Sequence, residues 1–186
     1  MFIETLERHL ACFKQLPGMA DQLEAVGQRL AQTIADGGKL LVCGNGGSAA
    51  DAQHFAAEII GRFEQERSAW PAVALTTDTS ILTAVGNDYG FDDVFARQVQ
   101  GLGCKGDALI GLSTSGNSEN VKRATILANE IGMYTVGLLG KDGGVIKQQV
   151  DSAIVIQDKA TARIQEAHIF ILHFWAMVIE RHMDTK

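Results

Sequence analysis

The sequence predicts a doubly wound α/β fold, with a flavodoxin-like, five-stranded parallel sheet between an N-terminal helical hairpin and a long C-terminal helix. Two observations lead to this prediction. Short apolar runs alternate along the chain with longer segments whose apolar residues recur at helical spacing, as in successive βαβ units. The short runs are also unbroken, which is typical of parallel strands covered by helices on both faces.

The first elements are two amphipathic helices, since apolar residues recur at helical spacing on both sides of Pro17-Gly18. Gly37-Gly38 ends the second helix. We therefore expect one domain, with a helical hairpin at 1–36 and an α/β core at 37–186. The predicted strands are Lys39–Cys43, Ala72–Leu75, Ala108–Leu112, Tyr134–Leu139 and Ala153–Ile156.

The last predicted helix covers about 162–182 and is apolar nearly all round between Ile169 and Ile179. A helix on the outside of a small domain should keep a polar face. The pattern therefore predicts that this helix packs on its own sheet and also on another subunit, which makes the protein a homo-oligomer. A central buried helix in a monomer is the alternative.

Composition and charge argue against several classes of protein. A net charge of −6 argues against non-specific binding of nucleic acid. The longest apolar run, 169–179, is too short to span a bilayer, and the amino terminus shows no signal-peptide pattern, so we expect a cytoplasmic protein without membrane contact. Three widely spaced cysteines, Cys12, Cys43 and Cys104, suggest neither a disulfide framework nor a thiolate zinc site.

A glycine loop, Gly44 to Ser48, joins the first strand to a helix that carries His54 and Glu58. A strand, a tight turn and a helix N-terminus together offer backbone N–H groups to an anion such as phosphate. The two side chains are four residues apart and share one helix face. The loop also fits the short dinucleotide fingerprint, but Asp78, the candidate ribose-binding acid, lies well beyond the usual spacing of about 20 residues.

A second loop, Ser113-Thr114-Ser115-Gly116-Asn117-Ser118, follows the third strand and precedes a helix. Its hydroxyl groups suit a phosphate, although Ser118 also suits the N-cap of that helix. Both loops follow strands, where open α/β sheets bind ligands. The segment 87–90, Asn-Asp-Tyr-Gly, predicts a turn by itself.

The C-terminal helix adds Gln165 and His173 to the candidate ligands. They are eight residues apart, about 80° off one face and about 12 Å along the axis, so a shared site is an option rather than a requirement of the spacing. With His54 and Glu58 they would offer two imidazoles, a carboxylate and an amide oxygen, a set that suits zinc and similar ions. His168 fits a hydrogen-bonded core residue better than a ligand.

The chain resembles the bacterial phosphoheptose isomerases, or sedoheptulose-7-phosphate isomerases, of the sugar-isomerase (SIS) domain superfamily. The resemblance covers nearly the whole chain and makes 1–186 one SIS domain. It rests on long motifs at 43–58 (CGNGGSAADAQHFAAE), 74–80 (ALTTDTS), 86–91 (GNDYGF), 113–118 (STSGNS) and 163–168 (RIQEAH).

The resemblance implies an enzyme that converts D-sedoheptulose 7-phosphate into D-glycero-D-manno-heptose 7-phosphate, an early step toward bacterial surface heptose. It also implies a homotetramer with active sites between subunits, and one Zn²⁺ per subunit bound by residues that match His54, Glu58, Gln165 and His173. The implied substrate contacts are Asn45, Gly46, Gly47, Glu58, Asn87, Asp88, Ser113, Thr114, Ser115, Ser118 and Gln165.

The reaction itself indicates which residues act. An aldose–ketose shift moves a proton between C1 and C2 through an enediol, and a second proton between the two oxygens. Glu58 is the best candidate for the base and His173 for its partner. Some members of the family carry Asp where this chain has Ala162, so no role of that Asp carries over.

Two other functions remain open at this point. One relative in the superfamily has no enzymatic activity and binds the bacterial replication initiator, but it lacks residues that match Glu58 and His173. Both residues and both loops are present here, which favours an enzyme. A sugar-phosphate-sensing regulator is less favoured, because the sequence shows no DNA-binding domain.

Overall fold

The computed structural model describes residues 1–184, and within them the five predicted strands form one parallel sheet. The strand order is β2-β1-β3-β4-β5, the flavodoxin-like order of a doubly wound sheet. The predicted fold class is confirmed, and each predicted strand is found to within one residue at either end. The strands are β1 Leu40–Cys43, β2 Ala72–Ala74, β3 Ala108–Ser113, β4 Tyr134–Gly140 and β5 Ser152–Ile156.

Helices precede the sheet, connect its strands and follow it. The α-helices are α1 Phe2–Phe13, α2 Ala20–Ala35, α3 Gly47–Ile60, α4 Thr79–Asp88, α5 Val94–Leu102, α6 Glu119–Ile131 and α7 Thr161–Asp184. Short 3₁₀ turns lie at Leu16–Met19, Phe91–Asp93 and Ile146–Gln148.

The sheet divides the core into two layers, as the unbroken apolar strands predicted. In β1, Leu40 and Val42 belong to one apolar cluster, while Leu41 and Cys43 belong to the other. Successive side chains of a strand point to opposite faces, so each face of β1 is buried. The edge strand β2 is the exception, because Val73 is 37% exposed.

The first layer contains α2, α3 and α7 packed on the sheet. Trp175 of α7 is fully buried and donates a hydrogen bond from Nε1 to the carbonyl of Leu23 in α2, at 3.0 Å. The apolar residues of α7 are therefore largely covered within the chain, mainly by α2 and α3. In the described residues, no helix is long and apolar enough to cross a membrane.

The apolar stripe of α1 has a different environment from the one its spacing suggests. Phe2, Ile3, Leu6 and Leu10 are all exposed, although α1 packs against α7. Phe170 of α7 is also half exposed. On these two helices the exposed large apolar side chains thus lie on α1 and at Phe170, rather than around the whole of α7.

His168 is a core residue, as predicted. Its ring is fully buried on α7, and Nε2 donates a hydrogen bond to the carbonyl oxygen of Leu139, at 3.1 Å. Within the described part of the chain, Nδ1 has no hydrogen-bond partner. Burial lowers the pKa of His168 from 6.5 to about 4, since the charged ring would lose its water, and the Leu139 hydrogen bond offsets little of this.

We expect His168 to make the protein less stable in acid. The folded-state pKa lies below that of the unfolded chain, so protons bind preferentially to the unfolded state as the pH falls from 6.5 towards 4. The free energy of unfolding should then fall by up to about 1.4 kcal/mol per pH unit from this group. Urea denaturation across this range measures the slope. His168→Gln, which can still donate to Leu139, should have a shallower slope, and equal slopes would contradict the assignment.

Candidate active site

The two predicted loops lie side by side, because β1 and β3 are neighbouring parallel strands and both loops follow their carboxyl ends. A reciprocal pair of amide hydrogen bonds joins them. Asn45 Nδ2 donates to Asn120 Oδ1 and Asn120 Nδ2 donates to Asn45 Oδ1, each at 2.9 Å. The glycine loop and the start of α6 are therefore held at a fixed separation.

The glycine loop turns sharply into α3. Gly46 has a φ of 57° and a ψ of −121°, a conformation that side chains oppose. The N–H groups of Ser48 and Ala49 donate to the carbonyls of Asn45 and Gly46, both at 3.0 Å. These two donors serve the turn itself, so a bound anion would have to use other donors of the loop.

Three side chains that the sequence placed on two separate helices converge. His54 Nε2 lies 2.8 Å from His173 Nε2 and 3.2 Å from Glu58 Oε1. The three side-chain atoms, one from each residue, all lie within 4.8 Å of one another. Phe63 stacks on the His173 ring, with 5.6 Å between centroids.

This arrangement fits a divalent metal ion. A neutral imidazole has one N–H, so at most one proton can lie between two Nε2 atoms that face each other. Two imidazole nitrogens and a carboxylate oxygen are the donors that zinc accepts in catalytic sites, where a further position stays open to water or substrate. The His54 side chain is about half exposed, so such a position would be accessible.

Gln165 lies at a different place along α7. A Cβ added to Gly47 would overlap the side-chain amide of Gln165, so the two residues touch at the N-terminus of α3. His173 meets α3 seven residues farther along, at His54. The structure therefore places Gln165 beside the glycine loop, and its role as a metal ligand stays a prediction.

The hydroxyl groups of the serine loop form a cluster. Ser113 Oγ lies 2.9 Å from Ser118 Oγ and 3.4 Å from Ser115 Oγ. Ser118 occupies the N-cap position of α6, but the described structure shows no cap hydrogen bond from its side chain. Its hydroxyl faces Ser113 instead, so the side chain is directed into the loop. Thr114 lies between these residues.

The segment after β4 braces this loop. The N–H of Ile146 donates to the carbonyl of Gly116, and the N–H of Val145 donates to Asn117 Oδ1. A groove of about 780 Å³ opens beside the loop, with Ser115 and Asn117 on one side and Lys141 and Lys159 among its other lining residues. The backbone of the serine loop is thus held by hydrogen bonds, and one side of the loop borders a groove open to solvent.

The turn predicted at 87–90 is partly wrong. Asn87 and Asp88 form the last residues of α4, since the N–H of Tyr89 still bonds to the carbonyl of Val85, and the helix ends before Gly90, whose φ is 93°. Asn87 Nδ2 donates to Asp88 Oδ1 at 2.8 Å. Their predicted contact with substrate stays a prediction. Asp78 caps α4 by accepting from the N–H of Ile81, which gives it a structural role.

Two polar residues near the site were missed by the sequence analysis. Asn120 is buried in the first turn of α6, just past the serine motif. Asp51 lies one turn before His54, and Oδ2 is buried with no hydrogen-bond partner among residues 1–184. Burial raises the pKa of Asp51, and the nearby His54 partly opposes that shift. A polar residue in a helical pattern gives no sign of burial, so neither could be singled out.

Comparison with known proteins shows the family of this chain. The family model described as the SIS domain matches residues 2–140. The chain belongs to the SIS domain family. Among its relatives, the phosphoheptose isomerase of Geobacter sulfurreducens is 54% identical over 181 residues, which cover 97% of this chain and 91% of the relative. That of Geotalea uraniireducens is 51% identical over 179 residues, covering 96% and 95%.

Solved structures of the same family have the same fold. The phosphoheptose isomerase of Neisseria gonorrhoeae superposes on this SIS domain with a TM-score of 0.91, at 43% identity and with 97% of each chain covered. This chain is therefore similar to phosphoheptose isomerases over nearly its whole length.

The packing of the serine loop in this SIS domain can be tested at Gly116. Its φ is 68°, and a Cβ would overlap the backbone of Gly143. Gly37, with a φ of 85°, has no neighbour within 4 Å of a Cβ among the described residues. Gly37→Ala should therefore cost only the left-handed conformation, about 1–2 kcal/mol. Gly116→Ala should cost a further 1–3 kcal/mol or so from overlap. Urea denaturation measures both, and equal losses would contradict the tight packing.

Proposed function

We propose that this chain isomerises D-sedoheptulose 7-phosphate to D-glycero-D-manno-heptose 7-phosphate. The observation that carries the proposal is the convergence of His54 and Glu58, on the helix that follows the glycine loop, with His173 of α7, in a chain 54% identical to a phosphoheptose isomerase. The ketose and aldose differ only in where two protons lie, so an acid/base pair suffices for the chemistry.

In this proposal Glu58 moves the carbon-bound proton. Its carboxylate takes a proton from C1 of the ketose and returns it to C2, which passes through an enediol. His173 moves the other proton from the oxygen on C1 to the oxygen on C2, and since its Nε2 would face the metal, Nδ1 is the ring nitrogen left to give and take that proton. A carboxylate has two oxygens, so one can face a metal while the other accepts the proton.

One Zn²⁺ per subunit fits the same residues. His54, Glu58 and His173 supply the converging donors, and Gln165 would add an amide oxygen by leaning along α7. When bound, zinc polarises the substrate carbonyl and stabilises the negative charge that develops on its oxygen. Phe63 packs on the ring of His173 and would hold that ligand in its orientation.

The loops would hold the rest of the substrate. The clustered hydroxyls of Ser113, Ser115 and Ser118, with Thr114, suit the phosphate. The groove beside them is lined by Lys141 and Lys159 but also by Asp142 and Asp158, so the binding of phosphate would rest on the hydroxyl groups rather than on a net positive charge. The remaining proposed contacts are Asn45, Gly46, Gly47, Asn87, Asp88 and Gln165.

We also propose a homotetramer with active sites between subunits. Its support is the exposed apolar stripe of α1, where Phe2 is 77% exposed. Large exposed apolar patches commonly mark interfaces. A cytoplasmic location follows from the proposed substrate, which is an intermediate of carbohydrate metabolism. The alternative, a SIS domain that binds the replication initiator, is not favoured, because the similar curated relatives are named as isomerases.

We expect turnover of sedoheptulose 7-phosphate by the purified protein to depend on zinc. A strong chelator should abolish it and added zinc should restore it, because the ligand set fits that ion. Aldose formation is followed by chromatography or by NMR. Turnover that ignores the chelator would keep the isomerase and remove zinc from the mechanism, whereas no turnover in any condition would contradict the proposed function.

Two variants test the roles of the acid/base pair. Glu58→Gln and His173→Ala should each lower kcat by about 100-fold or more, since general acid–base groups contribute this much. Circular dichroism should show an unchanged fold, because both side chains lie at a partly exposed site. Exchange of the C1 proton with D₂O separates the two roles, and Glu58→Gln should lose it. If either variant turns over normally, that role is wrong.

The phosphate contact is tested at Ser118. Ser118→Ala removes one hydroxyl of the serine cluster, and a hydrogen bond to a charged group is worth about 10- to 100-fold in affinity. We expect KM to rise by about this factor with a smaller change in kcat. Inorganic phosphate should become a weaker competitive inhibitor by a similar factor. An unchanged KM would place the phosphate elsewhere.

A further inference from the structure

A buried ion pair between Arg67 and Glu180 lies close to the candidate active site, and no motif pointed to it. Arg67 Nε and Glu180 Oε1 are 3.0 Å apart, and the two side chains are only 7% and 3% exposed. Burying two charges costs several kcal/mol per ion in typical proteins unless further hydrogen bonds satisfy both. The other contacts of each residue therefore show what the pair holds together.

Glu180 binds the chain that follows α3. Its carboxylate accepts hydrogen bonds from the backbone N–H groups of Phe63, Glu64 and Gln65, at 2.8, 2.9 and 3.1 Å. Burial alone would raise the pKa of Glu180, but these bonds and Arg67 outweigh it and lower the pKa, so the carboxylate stays ionised. The segment 63–65 is thereby fixed to α7.

Arg67 binds the end of α3. Its Nη2 donates to the carbonyl of Glu58 at 2.8 Å and its Nη1 donates to that of Ile59 at 2.9 Å. The last carbonyls of a helix have no partner within the helix, so Arg67 supplies one to Glu58, while the carbonyl of Ile59 also accepts from the N–H of Trp70 at 3.4 Å. The guanidinium also lies 3.7 Å from the ring centroid of Trp70. Arg67 thus holds the backbone of Glu58 itself.

The two ends of the ion pair reach both helices of the site. Glu180 follows His173 by seven residues, which is about two turns of α7 and nearly the same face. Phe63, held by Glu180, stacks on the ring of His173. One connected set of bonds therefore runs from the backbone of Glu58, through Arg67 and Glu180, to the ring that packs on His173.

We propose that Arg67 and Glu180 are positioning residues, which set the relation of α3 to α7 and hence the convergence of His54, Glu58 and His173 on a metal ion. The inference rests on the metal site of the proposed function. Partners behind metal ligands typically change metal affinity by about 10- to 100-fold when they are removed. Neither residue touches the substrate in this account.

The test measures Zn²⁺ affinity by competition with a chromophoric chelator, without substrate. Glu180→Gln removes the charge, and Arg67→Lys keeps it while losing the fork that reaches two carbonyls and a carboxylate together. We expect both to bind Zn²⁺ about 10- to 100-fold more weakly. In the isomerase assay at saturating zinc, kcat should fall while KM stays within about twofold, since the phosphate loop is unchanged.

The matched control is Asp107→Asn. Asp107 is another buried carboxylate with a cation, Lys39 at 2.6 Å, and two backbone N–H donors, those of Lys39 and Cys104. It lies at the amino end of β3, away from the loops. It should lose stability in urea but keep its Zn²⁺ affinity.

The outcomes separate the inference from the function on which it rests. Folded Arg67→Lys or Glu180→Gln with unchanged Zn²⁺ affinity would overturn the inference, as would an equal loss in Asp107→Asn or a wild-type protein that binds no zinc. If Glu180→Gln does not fold, Arg67→Lys decides. Wild-type protein that binds zinc but turns over no substrate would instead overturn the proposed function, and the affinity comparison would still stand.

Discussion

The candidate site depends on one packing arrangement, in which α3 and α7 lie side by side and run in the same direction. His54 and His173 are 119 residues apart in the chain, yet their Nε2 atoms are 2.8 Å apart. The contact forms because α7 is buried between α2 and α3, with Trp175 in the core. Burial of apolar surface, which has no directional preference of its own, thus brings the side chains of His54 and His173 together.

Hydrogen bonds and one buried ion pair then fix the loops and helices that the apolar core brings together. Asn45 and Asn120 join the two loops, and Arg67 with Glu180 joins the ends of the helices. In each case a buried polar group has its partners, because an unpaired one would cost roughly 1–3 kcal/mol. Hydrogen bonds of this kind tolerate little displacement. The two pairs therefore limit how far the loops and helices of the candidate site can move relative to one another.

The sequence predicted the sheet well, because unbroken apolar runs such as Leu40–Cys43 encode burial on both faces directly. It also placed His54 and Glu58 on one face, since a single helix fixes that relation. It left open whether Gln165 and His173 meet them, because periodicity specifies which face of α7 is apolar but not its neighbour. The structure brings His173 to His54 and places Gln165 beside the glycine loop. Nothing in the sequence indicated that three further residues matter, because a polar residue in a helical or loop pattern is most often solvated. These residues are Arg67, Glu180 and Asn120. The end of α4 was misplaced because Asn87 and Asp88 suit a turn as well as a helix terminus.

The late position of α7 has a consequence for synthesis of the protein. Chains emerge from the ribosome with the amino terminus first, so all five strands and both loops are made before His173. Until α7 arrives, the apolar side of α2 around Leu23 and Leu30 lacks its cover. A nascent chain arrested at that point would hold all five strands, would lack the approach of His173 to His54, and would expose an apolar surface of the kind that chaperones recognise. Completion of the last helix therefore both covers the apolar side of α2 and brings His173 to His54 and Glu58.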